Sequence, residues 1–209
     1  MTQVTWQIGS ANDKPDEGFL IQVTSREKSE ALRHYLRRAT AAQHDVLDNG
    51  AGVPDFTDAR AHAAFLVRQL AARQPIGAWA ALHCPADITP PPTVPALLAD
   101  LDALGVSPDV QSEEFRMPAD AELLGLAWAL AGSHLGNRMM LKTLLETAPS
   151  APHAFFADTD MIAFWQRLRP RLETEAAPDF ARRAAAAADA VFARFIQAFG
   201  LSADGRMAA

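Results

Sequence analysis

The sequence predicts an all-α fold, a compact bundle of helices. Three observations predict it. From Ser29 onward the apolar pattern is helical, six or seven such stretches follow one another, and almost no convincing strand appears among them. With 209 residues, 49% of them hydrophobic, the chain can bury a sizeable core as one domain with at most an appendage.

The elements follow in order. Residues 1–28 stand apart: "VTWQIG" and "GFLIQVTS" have strand-like composition and "SANDKPDEG" between them is turn chemistry, so this N-terminal extension is either a short hairpin or a loosely held tail. The helical domain is expected over 29–200, followed by a C-terminal tail, 201–209. Ser29 can cap a first helix through "EALRHYLRRATAAQHDVLDN", closed by Asn49 and Gly50. A second helix is expected from about Thr57 to Gln74, broken at Pro75 and resumed in "PIGAWAALHC". "PADITPPPTVP" is a rigid connection. Four further helical stretches follow it: "ALLADLDALG", "DAELLGLAWALAGSHLGNRMMLKTLLE", "DMIAFWQRLRPRLETEA" and "PDFARRAAAAADAVFARFIQAFG".

Composition excludes several functions. Nineteen basic residues against 25 acidic ones leave a formal net charge of −6, with no Lys/Arg run to track a phosphate backbone, so nucleic acid is not an expected partner. The single cysteine, Cys84, excludes an intramolecular disulfide framework and any multi-cysteine zinc site, and fits a reducing compartment. No basic segment followed by an apolar core opens the chain, and no apolar run approaches the ~20 residues of a membrane span, so a cytoplasmic location without membrane insertion is expected. No Glu-x-x-His pair, P-loop, His-Glu-x-x-His or Gly-x-Ser-x-Gly motif occurs. His62 and His153 have no acidic or histidine partner at metal spacing and read as polar surface.

Two stripes carry candidate chemistry. In "GLAWALAGSHLGNRMM", Gly125, Ala129, Gly132 and Gly136 recur at spacings of four, three and four and share a helix face, with Ser133 beside them and His134 pointing away. An internal glycine costs about 1 kcal/mol relative to alanine, so the stripe needs a reason. Either a neighbouring helix approaches closely, or a large flat ligand lies against the backbone. In "LRHYLRRATAAQHDVLDN", Arg37, Thr40, His44 and Asp48 line one face. A carboxylate one turn beyond a histidine can orient the imidazole toward a metal, and a cation about 10 Å before it could pair with a ligand's acid group. A solvated face with an ordinary histidine and aspartate pair would look the same. On either stripe alone the ordinary reading has the stronger claim.

Together the stripes resemble two motifs of the bacterial biliverdin-producing heme oxygenases. "LRRATAAQHDVLD" is similar to that family's proximal-helix motif, in which threonine precedes the heme-ligating histidine by four residues, and "LAGSHLGNR" is similar to its distal-helix motif, usually Glu-Gly-Ser-x-Leu-Gly-Gly-Arg. "VPALLADLDALG", "FFADTDMIAFWQRL" and the closing Ala/Phe-rich helix resemble the remaining helices in the right order, over roughly 29–200. The resemblance implies a heme oxygenase-like bundle, with heme as substrate and cofactor at once. It implies cleavage of heme to biliverdin, carbon monoxide and iron, using dioxygen and electrons from a partner reductase, in a monomer or weak homodimer.

By the same resemblance His44 is the axial iron ligand, Asp48 its hydrogen-bonding support and Thr40 a buttress. Gly132 and Gly136 let the distal helix approach the porphyrin, Ser133 and Asn137 border the distal side, and Arg37 and Arg169 pair with the propionates. Phe192 and Phe195 read as wall or plain core. The chain departs from the distal motif at Ala131, where the family has glutamate, and at Asn137, where it has glycine. Those departures support an alternative: a heme oxygenase-like protein acting as a non-catalytic heme-binding sensor or interaction module.

Overall fold

A computed structural model describes residues 30–109 and 114–202. The readings for 1–28 and for Ser29 lie outside the described residues. Eight helices follow one another in the described chain: α1 (Leu32–Ala39), α2 (Ala41–Ala51), α3 (Ala59–His83), α4 (Val94–Ala103), α5 (Leu124–Thr147), the single turn α6 (Ala154–Ala157), α7 (Asp160–Leu172) and α8 (Pro178–Ala198). No β-strand occurs among the described residues; one isolated bridge pairs Ala31 with Glu175. The molecule is all-α, and none of these helices is long and apolar enough to cross a membrane.

The first predicted helix is two helices. Thr40 departs from helical geometry (φ −102°, ψ 12°), and its buried hydroxyl donates to the Leu36 carbonyl at 2.9 Å. This local side-chain bond competes with the backbone ladder, as threonine hydroxyls do inside helices. The helix also closes at Gly52, whose φ of +60° suits glycine, rather than at Asn49 and Gly50. Leu32 and Leu36, one turn apart on α1, are buried and anchor it.

The predicted break at Pro75 does not occur. Proline cannot donate to the carbonyl four residues back, which belongs to Ala71. Arg194 Nη2, from α8, donates to that carbonyl at 2.7 Å, so the orphaned acceptor is satisfied and α3 runs on to His83. At the other end, the Asp58 carboxylate caps α3 by accepting from the Arg60 N–H at 2.8 Å.

Helices α5 and α8 form the most extensive pairing, with α3, α4 and α7 packed around them. The contact relies on small residues. A Cβ built on Gly125 would lie 1.8 Å from the Ala184 carbonyl oxygen, and Ala181, Ala184, Ala187 and Ala188 are all buried on α8. Between α4 and α6, the buried Asp100 carboxylate accepts from the N–H groups of Ala154 and Phe155 at 2.8 and 2.9 Å. That satisfies two donors of α6 and holds Phe155 and Phe156 in the core. Leu201, assigned from sequence to a tail, is buried and its N–H donates to the Ile196 carbonyl.

Candidate functional site

Where α5 leaves its tight contact with α8, a cavity of about 590 Å³ opens between α2, α3, α5 and α8. Its size suits a small-molecule ligand. One wall is α2, with His44, Leu47, Asp48 and Ala51; the facing wall is α5, with Ala129, Gly132, Ser133, Gly136, Asn137 and Met140. Phe65 from α3 and Val191, Phe192 and Phe195 from α8 make the interior apolar. The two sequence stripes, 88 residues apart between His44 and Gly132, therefore meet across one cavity.

The glycines divide along the stripe. Gly125 is filled by α8, as described above. At Gly136 an added Cβ would meet nothing within 4 Å, and at Gly132 only the Trp165 ring, at 4.0 Å. Helix packing thus accounts for Gly125, while Gly132 and Gly136 leave open space in the cavity wall.

His44 projects its imidazole into this space, with its ring centroid 4.5 Å from that of Phe192 and 6.3 Å from Trp128, which it meets edge-on. Its ring nitrogens form no hydrogen bond among the described residues. Burial lowers its pKa, opposed by the Asp48 charge, so a neutral imidazole with a free lone pair is favoured at neutral pH. Asp48 sits at the exposed rim and acts on His44 through space; the expected hydrogen bond between them is not formed. Thr40 is fully buried and bonded to its own helix, outside the cavity lining.

The expected basic residues are elsewhere. Arg37 is exposed and does not line the cavity. Arg169 is exposed on α7, where its Nε donates to Glu173 at 3.1 Å. The Arg169 pair lies at the surface, where it contributes less than about 1 kcal/mol.

On the α5 wall, Ser133 and Asn137 have committed partners. Ser133 Oγ donates to the Leu130 carbonyl at 2.8 Å and accepts from Arg73 Nη2 at 3.0 Å. The Asn137 amide nitrogen donates to His134 Nδ1 at 3.0 Å, and His134 Nε2 donates to the Asp158 carbonyl at 2.9 Å. One neutral tautomer satisfies both contacts, and burial lowers the His134 pKa accordingly. His134 points away from the cavity, as the rotation on α5 predicts, but into the core rather than toward solvent. Ala131, where the distal-helix motif that this segment resembles has glutamate, is fully buried and shut off from solvent.

Sequence reading missed Arg73 and Gln69. Both line the cavity, and Arg73 is 4% exposed with its Nε donating to Gln69 Oε1 at 2.9 Å. The available signal was their spacing: Phe65, Gln69, Arg73 and Ile76 share one face of α3, and a cation on an otherwise apolar face marks a buried charge. His62 was also misjudged. It is fully buried between Phe56 and Phe156, and neither ring nitrogen has a partner. Comparison of the chain with protein-family models, with curated proteins and with solved structures gave no match in any of the three.

Proposed function

We propose that the cavity binds heme and that the protein is a heme oxygenase, converting heme to biliverdin, carbon monoxide and iron with dioxygen and electrons from a reductase. The observation that carries this reading is the pairing of walls. His44, an imidazole without a hydrogen-bond partner among the described residues, lines the same cavity as Gly132 and Gly136, whose Cβ positions on α5 are open. A single imidazole in a cavity with an open wall would suit a heme that must also admit dioxygen. The similarity of both segments to the proximal and distal motifs supports the same reading.

When bound, heme supplies the iron that activates dioxygen and the ring that is oxidised. The chain's own residues do the rest. His44 offers its free nitrogen, Phe192 and Trp128 hold the imidazole plane, and Gly132 and Gly136 admit a flat ring close to the backbone. Phe65, Val191 and Phe195 exclude water from the interior. Ser133, held by Arg73 and Leu130, fixes a polar point on the α5 side.

The test is to add hemin to the purified protein, record the spectrum, then add a reductase system in air. A Soret band that decays as biliverdin absorption rises supports turnover. His44→Ala should lose that band and weaken hemin binding by at least about tenfold, near 1.4 kcal/mol; an unchanged spectrum and affinity would remove His44 from the site. A second reading, a heme-binding sensor without turnover, is favoured by Ala131 and by the commitment of the Asn137 amide to His134. A stable Soret band with a competent reductase would select it.

A further inference from the structure

Arg73 presents a charge that the protein itself does not neutralise. It is 4% exposed, and no carboxylate lies within ion-pair distance of it among the described residues. The acidic group that acts on it is Asp158, through space rather than in an ion pair, with its Oδ1 accepting from the Asp160 N–H at 2.8 Å. A guanidinium has five N–H donors in a planar fork. Nε is used by Gln69 and one N–H of Nη2 by Ser133, leaving both N–H groups of Nη1 and one of Nη2 without an acceptor among the described residues. Burial lowers the Arg73 pKa to about 10, which still leaves it charged at neutral pH.

The rings of Phe155 and Phe195 lie 5.1 and 5.3 Å from the guanidinium carbon and partly offset this burial. Cation–π contacts offset only part of the desolvation cost of a buried ion. Arg73 is also the only Lys or Arg lining the cavity among the described residues, and beyond its partners Gln69 and Ser133 the lining from α3 and α8 is apolar.

The geometry points to an inner carboxylate subsite at Arg73: the cavity takes a planar oxyanion there, against an apolar body held by Phe65, Phe192 and Phe195. Two sources share this chemistry, an acid group of the heme-sized ligand itself or a free small carboxylate. The subsite rests on the cavity being the ligand site, as read above, and does not depend on iron ligation by His44. It also differs from the expectation for Arg37 and Arg169, which would hold acid groups outside, at the surface.

The test uses the full chain and metal-free protoporphyrin IX, its dimethyl ester and benzoate. Porphyrin binding is followed by quenching of tryptophan fluorescence, and benzoate binding by its effect on Tm. The wild type should prefer the diacid over the diester by about tenfold, the worth of one buried charge-assisted hydrogen-bonded pair. Arg73→Gln should abolish the preference while leaving diester affinity unchanged, and His44→Ala should retain it. That result assigns the carboxylate to the ligand. If the two porphyrins bind alike or not at all, but benzoate raises Tm saturably in the wild type and not in Arg73→Gln, the subsite stands with a free carboxylate as its source.

A preference undiminished in Arg73→Gln overturns the proposal, as does a wild type with neither a diacid preference nor a benzoate effect. Should Arg73→Gln not fold, Arg73→Lys decides. Lysine keeps the charge without the fork, so the preference or benzoate effect must fall by at least about threefold, and an unchanged value overturns the subsite. Loss of the hemin Soret band in His44→Ala with the diacid preference intact separates the iron reading from this one.

Discussion

The two ends of the small-residue stripe on α5 have the same composition and opposite uses. At Gly125 the helix is pressed against α8 so closely that an added Cβ would collide with the Ala184 carbonyl oxygen. At Gly136, three turns further along, the same addition would meet empty space in a cavity whose other walls carry His44 and Phe192. One glycine therefore serves packing and the other leaves room for a ligand. A missing side chain is informative only through what occupies its place.

The sharpest way to break this comparison is to add a side chain at each end. Gly125→Ala forces the α5 and α8 backbones apart and should cost about 3 kcal/mol or more of unfolding free energy, at the upper end of overpacking effects; a urea melt measures it. A smaller and opposite effect is expected at the open end. Gly136→Ala replaces a helix-interior glycine without a clash and should raise stability by about 1 kcal/mol. It should also weaken hemin binding, because the new methyl enters the cavity. Raised stability with weakened binding supports the division, and lowered stability would show that the Gly136 wall is packed after all.

A subtler contrast concerns two histidines, one in the core and one on the cavity wall. His62 lies in the dry core with both nitrogens unpartnered, whereas His44 opens to the cavity. Burial lowers the pKa of each below the ordinary value of 6.5. For such groups the unfolded chain binds protons more readily than the folded one, so their stabilisation is full above pH 6.5 and is lost as pH falls toward the folded pKa. Unfolding free energy should therefore decline below pH 6.5 with a slope of up to about 1.4 kcal/mol per pH unit for each proton taken up. His62→Phe should flatten that decline, measured by urea melts between pH 7.5 and 5.5. Hemin should oppose the part due to His44 alone, since ligation competes with protonation at its nitrogen.

Several features were legible in the sequence for a local reason. Helix periodicity, the Pro-rich connection before α4, the glycine stripe on α5 and the His44 and Asp48 pair on α2 are written in residues close together in the chain. The rotation of His134 away from the glycines follows from helix geometry alone. Other features needed distant partners. Pro75 reads as a breaker until Arg194, 119 positions later, satisfies the Ala71 carbonyl. Arg73 reads as an ordinary surface cation until Ser133, 60 positions away, and the rings of Phe155 and Phe195 close over it. Arg37 and Arg169 share the charge of Arg73 but not its burial, and the one local sign that sets Arg73 apart is the apolar face of α3 on which it stands.

By itself the sequence determined that the described chain is helical, which residues share a face on each helix, and that His44 and the glycine stripe are the places to examine. Those are consequences of a 3.6-residue period acting over a turn or two. The tertiary structure alone decided that Gly125 is packed while Gly132 and Gly136 are open, that His44 faces them, and that a buried arginine stands in the same cavity. The physical reason is that burial, desolvation and steric room are properties of what comes to lie beside a residue, and here those neighbours arrive from other helices.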